Sequence, residues 1–236
     1  MASKHEETPP AKSRGGCMGV LTKTFLFVTL LGLVIALAFS YRPQDLSGID
    51  GVGPAAAAAP KKDVRAILRS SLERGFEVSF TEEELNAYLS RTLASKQNGL
   101  LGKNATIDGV WVSLEKDCAE VIIERRVFGH SFTVSTFLQV EQTEQPNGKA
   151  KTEVVLHGGP YISGTYPYRG GRFGSLVVPQ GFLRLVLPAF ENLAAVYQDE
   201  IGLISDMSRI QIGENRITFN PHAPGDDLSG LGGGSF

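Results

Sequence analysis

From Thr24 to Tyr41 the chain reads TFLFVTLLGLVIALAFSY, an 18-residue run without a charge. A helix of a soluble domain keeps a polar stripe toward water, and this run has none. Its length falls in the range of roughly 17–25 residues that crosses a bilayer. The chain is therefore expected to carry one transmembrane helix near its N-terminus. Lys4, Lys12, Arg14 and Lys23 precede the run, and Arg42 alone follows it closely. The bias of basic residues toward the cytoplasmic side keeps residues 1–23 inside and sends everything after Tyr41 across. Ala36-Leu37-Ala38 also fits the small-residue pattern of a signal-peptide cleavage site, so a cleaved, secreted form is the alternative. The long polar stretch before the run, and its continuation through Phe39, favour an uncleaved signal-anchor.

The anchor divides the remainder. Residues 42–62 (RPQDLSGIDGVGPAAAAAPKK) read as a Pro/Gly/Ala linker, because they offer little that could build a core. Residues 223–236 form a Gly-rich tail with the composition of a disordered segment. Residues 63–222 remain as one extracytoplasmic domain, a size able to bury a real core. Cys17 and Cys118 fall on opposite sides of the anchor, so no disulfide within the chain is expected.

Within the domain, Val64, Ile67, Leu68 and Leu72 recur on one helical face, and Gly75 stops that helix. Phe76, Val78 and Phe80 alternate as a short strand. Thr81 and Glu84 then stand at the spacing of a capping box, with Leu85, Tyr88, Leu89 and Leu93 as the buried stripe of the helix it starts. Glu82, Glu83 and Glu84 are read as acids at the positive end of that helix, not as a metal cluster. Alternation predicts strands around Val110–Leu114, Ala119–Ile123, Phe132–Val140 and Thr152–Leu156, with turns at 115–117, 128–130 and 145–149. One face of this antiparallel sheet is apolar. The other carries Thr, Ser, Glu and Gln, so the sheet is expected to be covered on one side only. The cover is the apolar segment from Val178, containing Phe182, Leu183, Leu185, Val186, Phe190, Leu193, Ala194 and Tyr197, kinked or split at Pro188. Ile210, Ile212, Ile217 and Phe219 flank a closing hairpin. The fold class is α+β: a curved antiparallel sheet packed against a long kinked helix, with an N-terminal single transmembrane helix.

The string Phe80-Thr81-Glu82-Glu83-Glu84-Leu85-Asn86-Ala87-Tyr88-Leu89 follows a single N-terminal anchor. Later, Gly174-Ser175-Leu176-Val177-Val178-Pro179 leads into the apolar helical segment. In this arrangement the chain resembles the YpmS-type bacterial membrane-anchored extracytoplasmic proteins, which have no assigned activity. More distantly it resembles half of a tubular lipid-binding (TULIP-like) domain, whose long sheet wraps a helix and leaves an apolar groove. The resemblance implies a lipid or other hydrophobic ligand, not a reaction, and carries over no functional residue.

No phosphate-binding glycine loop, nucleophile elbow or Cys-x-x-Cys is present, and His130 and His157 lack metal-ligand spacing. No enzyme activity, metal or cofactor is expected. Asn104-Ala105-Thr106 fits a glycosylation acceptor, relevant only in a host that glycosylates secreted proteins. Arg125 and Arg126, interleaved with Glu120 and Glu124, read as a solvated polar sheet face. The segment 158–182 (GGPYISGTYPYRGGRFGSLVVPQGF) has seven glycines, three prolines and no acid. One Arg-Gly-Gly in a chain of net charge −2 does not make a nucleic-acid binder. Two readings stand. In one, glycines and prolines steer the chain from the last long strand to the covering helix, with the tyrosines packing as lids. In the other, Tyr161, Tyr166, Tyr168, Arg169, Arg172 and Phe173 form a tip that touches membrane or ligand. The expected partners are the bilayer, through the N-terminal helix, and a lipid ligand or an envelope protein. The expected function is a membrane-anchored binding module for a lipid or other apolar ligand. The alternative is an accessory subunit of an envelope or membrane complex.

Overall fold

The computed structural model describes residues 17–53, 61–100, 107–144, 150–162 and 165–222. The 145–149 turn, the alanine run, the Asn104–Thr106 acceptor and the C-terminal tail lie outside them. The chain forms two compact units, Met1–Ala38 and Phe39–Phe236. The first is the body of helix α1 (Cys17–Tyr41), 25 residues long and so about 37 Å at the usual rise per residue. Met18–Tyr41 is long and apolar enough to cross a membrane, with a mean hydropathy of 2.3.

The second unit is α+β. Helix α2 (Val64–Arg74) starts where the Asp63 carboxylate accepts from Ala66 N, and it ends at Gly75 in the left-handed region. After strand β1 (Val78–Thr81), helix α3 (Glu82–Leu100) opens on the anticipated capping box. Glu84 N donates to Thr81 Oγ1, and Thr81 N donates to Glu84 Oε2, both at 3.2 Å. β1 pairs with the closing hairpin, β9 (Arg209–Gly213) and β10 (Arg216–Asn220), in a three-stranded sheet ordered β1-β10-β9.

The larger sheet has seven antiparallel strands. β2 (Gly109–Glu115), β3 (Cys118–Val127) and the 15-residue β4 (His130–Glu144) run in sequence order. β4 is long enough to pair twice along its free edge. Residues 139–144 take β5 (Ala150–Val155), and residues 134–136 take β7 (Thr165–Phe173). β6 (Pro160–Ile162) and β8 (Leu176–Pro179) flank β7. The glycine-rich segment is thus not a bare connection to the covering helix, because it supplies three strands. Its glycines answer to close approach. A Cβ on Gly171 would overlap the Ser135 carbonyl oxygen of β4, and one on Gly170 would lie 2.6 Å from Gln180 Cα. Gly174, at φ 56°, is crossed by the backbone of residues 39–42.

The cover also departs from a single kinked helix. A 3₁₀ segment (Gln180–Leu185) leads to α4 (Leu187–Val196) and then α5 (Gln198–Ser205). Pro188 sits in the first turn of α4, where its missing N–H has no partner to lose. The second break falls at Tyr197, between α4 and α5.

The outer face of the sheet is covered as well, contrary to the one-sided expectation. Glu120, Ile122, Thr133, Ser135 and Phe137 on that face are buried. Part of the cover is the segment read as a linker. Gln44 N donates to Thr133 Oγ1 (2.8 Å), and Gln44 Nε2 reaches Glu120 Oε1 (3.2 Å). Further along, Asp50 N donates to Glu82 Oε1 (2.8 Å). Residues 42–53 therefore pack as part of the domain, which composition concealed because the bonds use backbone and one glutamine.

Candidate functional site

The apolar stripes of the strands and helices converge without fully meeting. β2, β3 and β4 supply a floor that includes Val112, Val121, Leu138 and Val140. α3, α4 and α5 supply a roof that includes Leu89, Phe190, Leu193 and Ile204. The closing hairpin seals one end with Ile210, Ile212, Ile217 and Phe219. Between them lies a cavity of about 400 Å³, within the range of roughly 300–1,000 Å³ found for ligand pockets. Val154 in β5, Leu156 just after it, and Ala194 and Ile201 on the helices line the cavity and are exposed to solvent, so they mark its mouth.

Among the described residues, four that line the cavity bear polar side-chain atoms, and each has a hydrogen-bond partner. Tyr88 donates to Glu200 Oε1 at 2.5 Å, and Lys96 Nζ reaches Glu200 Oε2 at 2.9 Å. Tyr197 Oη shares a hydrogen bond with Thr92 Oγ1 (3.1 Å), and Thr136 Oγ1 donates to Gly170 O (3.5 Å). Glu200 is only 5% exposed. Burial alone would raise its pKa, yet the bonds from Tyr88 and Lys96 prevail and hold it below the ordinary carboxylate value. Burial first, then the bond to Glu200, pushes the Tyr88 hydroxyl well above its usual range. The pair is thus a carboxylate held by a neutral phenol and an ammonium, and it ties α3 to α5. A guest in the cavity meets methyl groups and ring faces. A polar part of the guest would have to stay at the mouth.

The six residues proposed as a contact tip lie elsewhere, and none lines this cavity. Arg172 Nε bonds Glu120 Oε1 (2.9 Å), and Arg169 bonds Gly158 O and faces Glu115 Oε2 at 3.6 Å. Both guanidinium groups lie over the Phe137 ring. Phe173, in β7, is half-buried. Tyr168 stacks on His157, with ring centroids 4.7 Å apart, and Tyr166 meets it edge-on. Tyr161 and Tyr166 remain exposed. The interleaved charges of β3 are likewise not a uniformly solvated face, because Glu120 is buried among Gln44, Ser135 and Arg172.

Sequence reading missed a second polar device. Glu82 and Asn86, one turn apart on α3, are buried against the outer edge of β2. Asn86 Nδ2 donates to Val112 O and Asp50 O (2.8 Å each), while Val112 N donates to Asn86 Oδ1 (2.7 Å). Leu114 N donates to Glu82 Oε2 at 2.5 Å. Desolvation raises the Glu82 pKa, partly offset by the backbone donors Leu114 N and Asp50 N. The side chains stand in for a missing strand, satisfying an edge that would otherwise invite pairing. The sequence shows Glu82 and Asn86 four residues apart, but capping and the helix dipole account only for the glutamates, and nothing local marks the edge of β2 as their partner.

Among the described residues no group of three His, Cys, Asp or Glu side chains is placed to hold a metal ion. Cys118 is buried, and desolvation pushes its thiol up to about 11, away from nucleophilic reactivity at neutral pH. No protein-family model matches the sequence, and no curated protein matches it.

Proposed function

We propose that this chain is a membrane-anchored extracytoplasmic binding module whose cavity takes the hydrocarbon part of a lipid. The observation that carries the reading is the cavity of about 400 Å³ whose polar side chains, among the described residues, already have hydrogen-bond partners within the protein. Such a wall favours a guest without internal polar groups, since a buried, unmatched donor or acceptor is costly. Burial of about ten methylenes would gain roughly 8 kcal/mol, from which the cost of association is subtracted. The apolar N-terminal helix supports the same reading, because an uncleaved anchor would hold the cavity near a supply of lipid. In this reading residues 1–23 lie in the cytoplasm and the domain outside. The likeness to tubular lipid-binding domains points the same way.

The test is lipid analysis of the full-length protein purified in a non-lipid detergent. Wild type should co-purify with lipid and exchange it for a fluorescent fatty acid. Val121→Trp, which fills the middle of the floor, should lose both while still folding. Wild type free of lipid, with no uptake of the probe, would overturn the proposal. The exposed Ile162 and Tyr166 on the β6–β7 ribbon favour a second reading, an accessory subunit that meets an envelope protein there. Crosslinking from position 166 to one stoichiometric protein, with the cavity empty, would select it.

A further inference from the structure

The turn between β3 and β4 is a two-residue loop, Phe128-Gly129, closed by the Val127–His130 pair. Both loop residues have positive φ, 51° and 80°. Hairpins of this kind favour Asn-Gly or Asp-Gly, because the first residue must adopt the left-handed region. Here that residue is a phenylalanine, for which the conformation is unfavourable. Its side chain is also fully exposed, at 105%. Phe128 thus gains nothing from the domain that holds it in a strained conformation. Strain that the fold leaves uncompensated points to a use outside the fold.

The surroundings identify the use. His130, the first residue after the loop, stacks on the Tyr41 ring with centroids 4.0 Å apart, and its Nε2 lies 2.9 Å from Tyr41 O. Tyr41 belongs to the folded unit and is also the last residue of the apolar helix. Chain connectivity therefore places the hairpin tip where that helix ends. Phe39, Tyr41 and Phe128 are exposed aromatics at this point, and Arg42 and Arg126 are exposed beside them. Exposed rings flanked by arginines are the composition of the bilayer interface, where rings sit at headgroup depth and guanidinium groups meet phosphates.

We propose that the Phe128-Gly129 tip inserts into the headgroup layer of the phospholipid bilayer crossed by α1, with Arg126 and Arg42 on lipid phosphates. This site is separate from the cavity and from the β6–β7 ribbon, and it rests only on the anchor part of the proposed function.

The test uses the full chain in phospholipid nanodiscs, with Cys17 replaced by Ser and an environment-sensitive fluorophore on Phe128→Cys. Cys118 is buried and stays in place. The control carries the probe on Glu214→Cys. Its neighbour Asn215 bonds Leu114 O in β2, opposite the start of β3, about 30 Å from the tip along a strand of this length. The expected result is blue-shifted emission at 128, lost when the nanodisc contains lipids spin-labelled near the headgroup, with the 214 probe unchanged. An unquenched 128 probe in protein that stays membrane-bound through an alkaline wash overturns the tip and leaves the anchor standing. Protein released by that wash overturns both. In the unlabelled chain, Phe128→Asn should raise the unfolding temperature, and a fall would show that Phe128 packs within the domain and end the proposal.

Discussion

Replacing Asn86 by alanine should remove the side chain that completes the outer edge of β2. Three hydrogen bonds disappear: two from Nδ2, to Val112 O and Asp50 O, and one from Val112 N to Oδ1. Asn86 has no solvent exposure, so water does not reach the freed groups without rearrangement. Each bond contributes a net of about 1 kcal/mol, and each group left buried without a partner costs about 1–3 kcal/mol. Water that enters the new space will recover part of this, which gives an expected loss of about 3 kcal/mol. A domain of this size shifts its melting temperature by roughly 2–4 °C per kcal/mol, so the fall should be about 6–12 °C. The sole tryptophan, Trp111, adjoins Val112 in β2 and reports the unfolding by its own fluorescence. Denaturant titration of the full chain in detergent gives the free energy. Asn86→Asp is the discriminating companion. It keeps the size and the acceptor but sets a carboxylate oxygen against two carbonyls, so it should be worse than alanine. If alanine lies within about 0.5 kcal/mol of wild type, the ordinary range for surface substitutions, or if aspartate matches wild type, the side chain does not complete the edge.

Other outcomes follow from the same geometry. Glu200 is held below its usual pKa in the fold. Its bonds therefore stabilise the protein fully above the unfolded carboxylate pKa and are lost as pH falls through the lower folded value. Melting curves should show Glu200→Gln less stable than wild type at neutral pH, with the gap closing in acid; a gap independent of pH would refute this. Glu82, raised by burial, has the opposite sign: its contribution declines as pH rises through the folded value. Gly171→Ala should cost about 3 kcal/mol or more by forcing β7 away from β4. Gly181→Ala, where a Cβ meets open space, should be silent in the same thermal assay, and equal effects would be inconsistent with the packing. In a Cys17→Ser background, Cys118 should react with a thiol reagent only as fast as the domain unfolds, measured by colorimetric labelling with and without denaturant. Rapid labelling of the native protein would contradict its burial.

Much of the framework was open to sequence reading because it rests on local physics. An uncharged apolar run is a helix with nowhere to go but a bilayer or a core. Thr81 and Glu84 satisfy each other within one turn, and Asp63 and Gly75 bound α2 by their own conformational preferences. Alternation in β2, β3, β4 and the closing hairpin depends only on the strand period. Tertiary structure alone decided the rest. Residues 165–173 carry two adjacent glycines, and they become a strand because β4 offers an edge that Gly171, having no side chain, can approach closely. Glu82, Glu120 and Glu200 have the composition of surface residues, yet each is buried by partners distant in sequence. The cavity has the same origin. Apolar periodicity determines which faces turn toward each other, and the separation of those faces depends on how α4, α5 and the closing hairpin are propped against the sheet.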